Sequence, residues 1–122
     1  MARTLAIALA CVVLAVSAGA ATRGARDDGK QTLSYGADRL QSVDYWPASS
    51  RDAPLVVFVH GGGWSRGDKR MMQGSDKLAH WHALGYAVAS VNYRLVPEAT
   101  VEQQGADVAA AVAALKDRSG AL

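Results

Sequence analysis

The stretch PLVVFVHGGGWSRGDKR, residues 54–70, decides how the rest of the chain is read. Five apolar residues, Leu55 to Val59, run into His60, three consecutive glycines and Trp64. An apolar run of this length without alternation fits a strand buried on both faces of a parallel sheet. Glycine loses more conformational freedom on folding than any other residue. Three in a row straight after a buried strand therefore imply a backbone that something else must approach closely.

Working outward, Asp68 can cap a helix running to about residue 84, with Met71, Leu78 and Trp81 near one face and Gly85 as its stop. Gly74 falls inside that span and costs about 1 kcal/mol against alanine. YAVASVNYRL, residues 86–95, reads as a second buried strand. After Pro97, the alanine-rich residues 101–117 read as a helix with Val108, Val112 and Leu115 on one side. Upstream, Tyr35-Gly36 marks a turn, Leu40, Val43 and Tyr45 suit a modest strand, and residues 47–54 form a loop. The order strand, strand, strand, helix, strand, helix predicts an α/β fold. Its sheet is expected to be mostly parallel with flanking helices, the later part forming a right-handed βαβα unit.

The ends and the composition set the boundaries. Arg3, an apolar run over residues 5–16 and the small residues Ala18-Gly19-Ala20 make residues 1–20 a secretory signal peptide. The apolar run is shorter than the ~20 residues a bilayer span needs, and no cysteine sits at the cleavage point as a lipoprotein requires. The product is expected to be secreted or periplasmic, with no membrane span after cleavage. Residues 21–32 form a polar, flexible leader, and residues 33–122 form one small domain. Cys11 is the only cysteine and leaves with the signal peptide, so the mature chain has no thiol for a disulfide, catalysis or metal binding. A net charge of +2 gives no reason to expect nucleic acid or an acidic membrane surface as a partner. Nothing in the sequence specifies an oligomeric state.

Three chemistries compete for the glycine loop. A dinucleotide fingerprint counted from Gly61 and Gly63 needs a third glycine where Arg66 stands. A phosphate-binding P-loop needs Gly-Lys-Ser/Thr, but Gly67 is followed by Asp68. Residues 63–67 match G-x-S-x-G letter for letter, the pattern of a nucleophile elbow. Ser65, however, lies six residues past Val59 rather than on the strand's end, and only His80 and His82 follow it, both within the first helix. Ser65 reads as a polar loop residue. The remaining chemistry is an oxyanion hole, in which backbone N–H groups stabilise the negative charge that acyl transfer builds on a carbonyl oxygen.

The motif HGGGW after an apolar strand resembles that of α/β-hydrolase esterases and lipases of the hormone-sensitive-lipase-like, feruloyl-esterase-like and kynurenine-formamidase-like groups. VNYRLVPE (residues 91–98), ADVAAAVAALK and YGADRLQSVDYW are similar to further segments of the same enzymes, from about residue 33 onward. The resemblance implies a serine hydrolase acting on small carboxylic esters, without cofactor or metal. It makes Gly62 and Gly63 the oxyanion donors, supported by His60, Gly61 and Trp64, with Trp64 packed behind the loop. Tyr93 is expected to be structural, Arg94 to pair with Glu98, and His80 and His82 to be surface residues. The nucleophile, acid and histidine are not found in this sequence. It is therefore expected to represent the N-terminal portion of such a domain, cut before the nucleophile elbow and inactive alone. The alternatives are a noncatalytic remnant serving as a binding module, and arylformamidase-type cleavage of an amide.

The exported product is expected to begin near Ala21. N-terminal sequencing checks this, and material still starting at Met1 or Ala2 would revive the membrane-anchor reading.

Overall fold

Alternation of side chains along the strands sorts the chain into two cores on opposite faces of one sheet. The computed structural model describes residues 28–119, and the expected signal peptide lies outside them. Its strands are β1 (Gln31–Ser34), β2 (Ser42–Trp46), β3 (Leu55–Val59) and β4 (Ala87–Val91). Between β3 and β4 come a 3₁₀ turn (Lys69–Met72) and α1 (Asp76–Ala83), and α2 (Val101–Ser119) follows β4. The strand order is β1-β2-β4-β3. The sheet is mixed: β3 and β4 are parallel, while β1–β2 and β2–β4 are antiparallel. The α/β architecture is as the sequence implies, but among the described residues its parallel part is confined to one pair.

On one face, Val43 and Tyr45 of β2 and Ala87, Ala89 and Val91 of β4 pack with Ala111 and Leu115 of α2. On the other, Trp46 and Val88 pack with Met72 and Leu78. Successive strand residues point to opposite faces, so each strand serves both cores. Val43, Val88, Ala89 and Val91 are completely buried. Unlike the fully buried β2 and β4, β3 has residues that are half-buried or exposed, with Val59 43% exposed. It pairs with β4 on one side and has no strand on the other among the described residues. Among the described residues the apolar run thus lies at an edge of the sheet, paired on one side only.

Several other expectations are corrected. The span 68–84 is two pieces, because Gly74 takes φ +68 and breaks the helix. Asp68 accepts from Arg70 N and caps the 3₁₀ turn, while Ser75 accepts from Leu78 N and caps α1. The break also resets the phase: Met72 is buried and Met71 is 63% exposed. Leu40 belongs to the β1–β2 connection, and β1 begins at Gln31, inside the expected leader.

One polar cluster interrupts the second core. Asp44 of β2 and Ser90 of β4 are register partners, and both are fully buried. Both bind Lys69: Asp44 Oδ1 accepts from its ammonium, and Ser90 Oγ donates to its carbonyl at 2.8 Å. Asp44 also accepts from Thr32 Oγ1 at 2.8 Å, and Lys30 stands 3.7 Å from its other oxygen. Asn92 completes the anchor, accepting from Lys69 N at 2.7 Å and donating to Asp68 at 3.3 Å. The sheet thereby grips the chain where it leaves the glycine loop.

Breaking a buried ion pair leaves an uncompensated charge, whereas replacing both partners with apolar groups is often neutral. Lys69→Met should therefore lower unfolding stability by about 3 kcal/mol, the low end of that range because Lys30 remains nearby. The double variant Asp44→Val/Lys69→Met should recover most of this in urea denaturation. An unchanged midpoint for Lys69→Met would show that the pair anchors nothing.

Candidate active site

The glycine loop starts where β3 ends, and its entry is held by aromatic packing. His60 is buried, and its ring stacks on Tyr93 with centroids 4.4 Å apart and planes at 15°. Tyr93 Oη donates to the His60 carbonyl at 2.7 Å. His60 Nδ1 lies 2.9 Å from the Gly61 carbonyl, an acceptor, so the proton sits on Nδ1. His60 is thus a brace between β3 and the segment after β4. Burial raises the Tyr93 phenol above its ordinary value and keeps it protonated as the donor.

Beyond His60 the backbone turns over. Ser65 N approaches the Gly62 carbonyl at 3.4 Å, and the two residues between, Gly63 and Trp64, have φ +60 and +66. Positive φ at both central positions is the mark of a type I′ turn. Gly62 has φ +135, and a Cβ there would stand 1.9 Å from the Arg66 carbonyl oxygen, so glycine is required for the turn to close. Gly61 is different. Its φ is not positive, and nothing lies within 4 Å of where its Cβ would be. The chain itself does not need glycine at that point; the missing side chain leaves open space beside the loop.

That space is a cavity of about 410 Å³ lined by Val59, Gly61, Gly62, Gly63 and Trp64, by Tyr93, and by Val101, Gln104 and Val108 of α2. Its far wall is apolar, and its near wall is loop backbone. Among the described residues, no protein acceptor takes the N–H of Gly62, Gly63 or Trp64. Unpaired backbone donors beside an apolar cavity can receive a polar or anionic group. Among the described residues no group of three or more His, Cys, Asp or Glu side chains is placed to hold a metal ion.

The expected site residues are thus brought together, with two corrections. The Trp64 indole does not pack behind the loop: Trp64 is 53% exposed and lines the cavity. Its carbonyl is the buried part, accepting from Val96 N at 3.1 Å and Gln104 Nε2 at 3.0 Å. Arg94 does not pair with Glu98. It makes two hydrogen bonds to Asp107 at 2.7 and 2.9 Å, and Asp107 also accepts from Arg94 N and Gln41 Nε2. Ser65 is exposed on the turn, and none of the hydrogen bonds made by His60 or His82 reaches it. His80 is exposed; His82 is half-buried, 3.4 Å from the Trp46 carbonyl.

Gln104 and Asp107 were not anticipated, although the sequence carries a signal for both. They precede Ala111 and Leu115 at spacings of three and four, and so occupy the core stripe of α2. Polar residues on a core stripe need buried partners. Theirs are the loop and the Arg94 segment.

Comparison with known proteins follows the same segments. The BD-FAE family model matches residues 44–122. Over 57 residues the chain is 49% identical to carboxylesterase NlhH of Mycobacterium tuberculosis, covering 44% of this chain and 17% of that protein. Over 72 residues it is 40% identical to the kynurenine formamidase of Drosophila melanogaster, covering 58% and 23% respectively. The chain therefore spans about a fifth of the length of these curated relatives. Among solved structures, a bacterial heroin esterase superposes with a TM-score of 0.60 at 26% identity, over 81% of this chain and 33% of that one. The structural likeness shows an α/β-hydrolase fold in part.

The Arg94 guanidinium, with its hydrogen bonds, holds the Asp107 carboxyl down to about 2. A carboxyl whose folded value lies below its unfolded value stabilises the fold above the unfolded value, and that gain disappears as pH falls toward the folded one. Asp107→Asn should be less stable than the parent at neutral pH, and the two stability curves should converge between about pH 4 and 2. Parallel curves across that window, measured by urea denaturation, would show that the pair does not act this way.

Proposed function

The chain belongs to the BD-FAE family, and from that premise we propose that it supplies the oxyanion-binding wall of a serine hydrolase that cleaves carboxylic esters. The observation that carries this reading is the set of free N–H groups on Gly62, Gly63 and Trp64 beside an apolar cavity. In acyl transfer the carbonyl oxygen gains negative charge at the tetrahedral stage. Fixed donors at that point stabilise the transition state more than the ground state. Gly61 keeps the approach open, and the His60–Tyr93 stack fixes the base of the loop. The apolar wall of Val59, Val101 and Val108 suits the hydrocarbon part of an ester.

The likeness to carboxylesterase NlhH supports an ester substrate. The likeness to a kynurenine formamidase keeps amide cleavage as the second reading, because an amide passes through the same oxyanion. The nucleophile is not Ser65, which is exposed on the turn and does not line the cavity. The signal-peptide pattern of residues 1–20 supports action outside the cytoplasm.

The test is the hydrolysis of p-nitrophenyl acyl esters and N-formyl anilides by the protein as its gene encodes it. Gly63→Pro removes one donor and, since proline cannot take the φ +60 found there, also reshapes the turn, so kcat should fall by at least about 10²-fold, with the unfolding midpoint measured alongside. Faster turnover of the anilide would favour the amide reading. An unchanged kcat would remove Gly63 from the oxyanion hole, and saturable ligand binding without turnover would favour a noncatalytic binding module.

A further inference from the structure

We infer that Gln104 is a positioning residue for the oxyanion loop, acting through the Trp64 carbonyl; the inference rests on the esterase reading above. The turn that presents the free N–H groups is poorly held by its own backbone. Its closing contact, Ser65 N to Gly62 O, is long at 3.4 Å. Trp64 sits at φ +66, a conformation that a bulky L-residue keeps only when its surroundings enforce it. The enforcing contacts fall on one atom. The Trp64 carbonyl accepts from Val96 N at 3.1 Å and from Gln104 Nε2 at 3.0 Å. Both donors lie outside the loop, one after β4 and one on α2, so they hold the turn without using its N–H groups.

Gln104 has features that packing alone does not explain. It is 1% exposed and occupies the core stripe of α2. Its Oε1 is buried with no hydrogen-bond partner in the structure. For stability alone an apolar side chain of similar size would be better, since it would strand no acceptor. What an apolar residue cannot supply is the donor to Trp64. Gln104 therefore gives up some stability to hold the turn, and its loss should disturb the chemical step more than folding or substrate binding.

The discriminating variant is Gln104→Met, which keeps the volume, removes the donor and also removes the stranded acceptor. In the protein as its gene encodes it, the unfolding midpoint should stay the same or rise. The Val96 amide, which shares the Trp64 carbonyl, should exchange about two- to tenfold faster, the worth of one net hydrogen bond. The ¹⁵N order parameters of Gly63 and Trp64 should fall. On p-nitrophenyl acetate, kcat should drop on the order of 10-fold with KM within about twofold, less than the 10² that misplacement by 1 Å can cost. Gln104→Glu, which preserves shape but places a carboxylate against a carbonyl, should be at least as impaired. Unchanged Val96 exchange and loop order would overturn the inference. So would a fall in midpoint that accounts for the loss of activity, because Gln104 would then be structural only. If the parent hydrolyses neither esters nor amides, the esterase reading fails, while the exchange and relaxation data still decide whether the clamp exists.

Discussion

A backbone that must keep its N–H groups free cannot use them to hold itself in place. On the proposed oxyanion reading, this constraint bears on residues 60–69. The loop is held at three places by contacts that leave the N–H groups of Gly62, Gly63 and Trp64 unused, the Lys69 N–H at its exit being the one that is spent. At its entry, Tyr93 stacks on His60 and donates to its carbonyl. In the middle, Val96 and Gln104 share the Trp64 carbonyl. At its exit, Asp44, Ser90 and Asn92 bind Lys69. Gly62, Gly63 and Trp64 are left with donors facing no protein acceptor among the described residues.

The sheet makes this suspension possible because β4 lies between β2 and β3. Its alternate residues serve two cores, and the chain leaving its end delivers Asn92, Tyr93 and Val96 to the loop in quick succession. Asn92 is fixed by its own backbone, with its N–H on the Ser42 carbonyl at 2.9 Å and its carbonyl accepting from Tyr35 Oη at 2.6 Å. Arg94 is locked to α2 through Asp107. One short segment therefore transmits the rigidity of a buried strand to a loop that has little of its own. Polar residues inside a core normally cost stability. Here they are concentrated where the backbone has to be gripped.

Much of this was legible from residue patterns. The elements and their order follow from apolar runs and turn residues, and the glycine loop announces itself by its cost in chain entropy. The errors have physical causes. Gly74 costs a continuous helix about 1 kcal/mol, but its positive φ instead ends one turn and lets Ser75 start another. Sequence proximity favours Glu98 as the partner of Arg94, but Asp107, thirteen residues away in sequence, takes it because it is buried and can accept two bonds at once. Gln104 could be singled out only by asking why polar residues stand on a helix's core stripe.

The central claim is that Gly62 and Gly63 present their N–H groups to an oxyanion. The most direct measurement is the amide proton spectrum of the protein, as its gene encodes it, on titration with an ester-derived phosphonate that mimics the tetrahedral stage. A hydrogen bond to a charged oxygen shortens and strengthens the donor's contact. The account expects the Gly62 and Gly63 amide protons to move strongly downfield and to become protected from exchange, while amides on the opposite face of the sheet stay still. A bound phosphonate that leaves both glycine amides unmoved would contradict it.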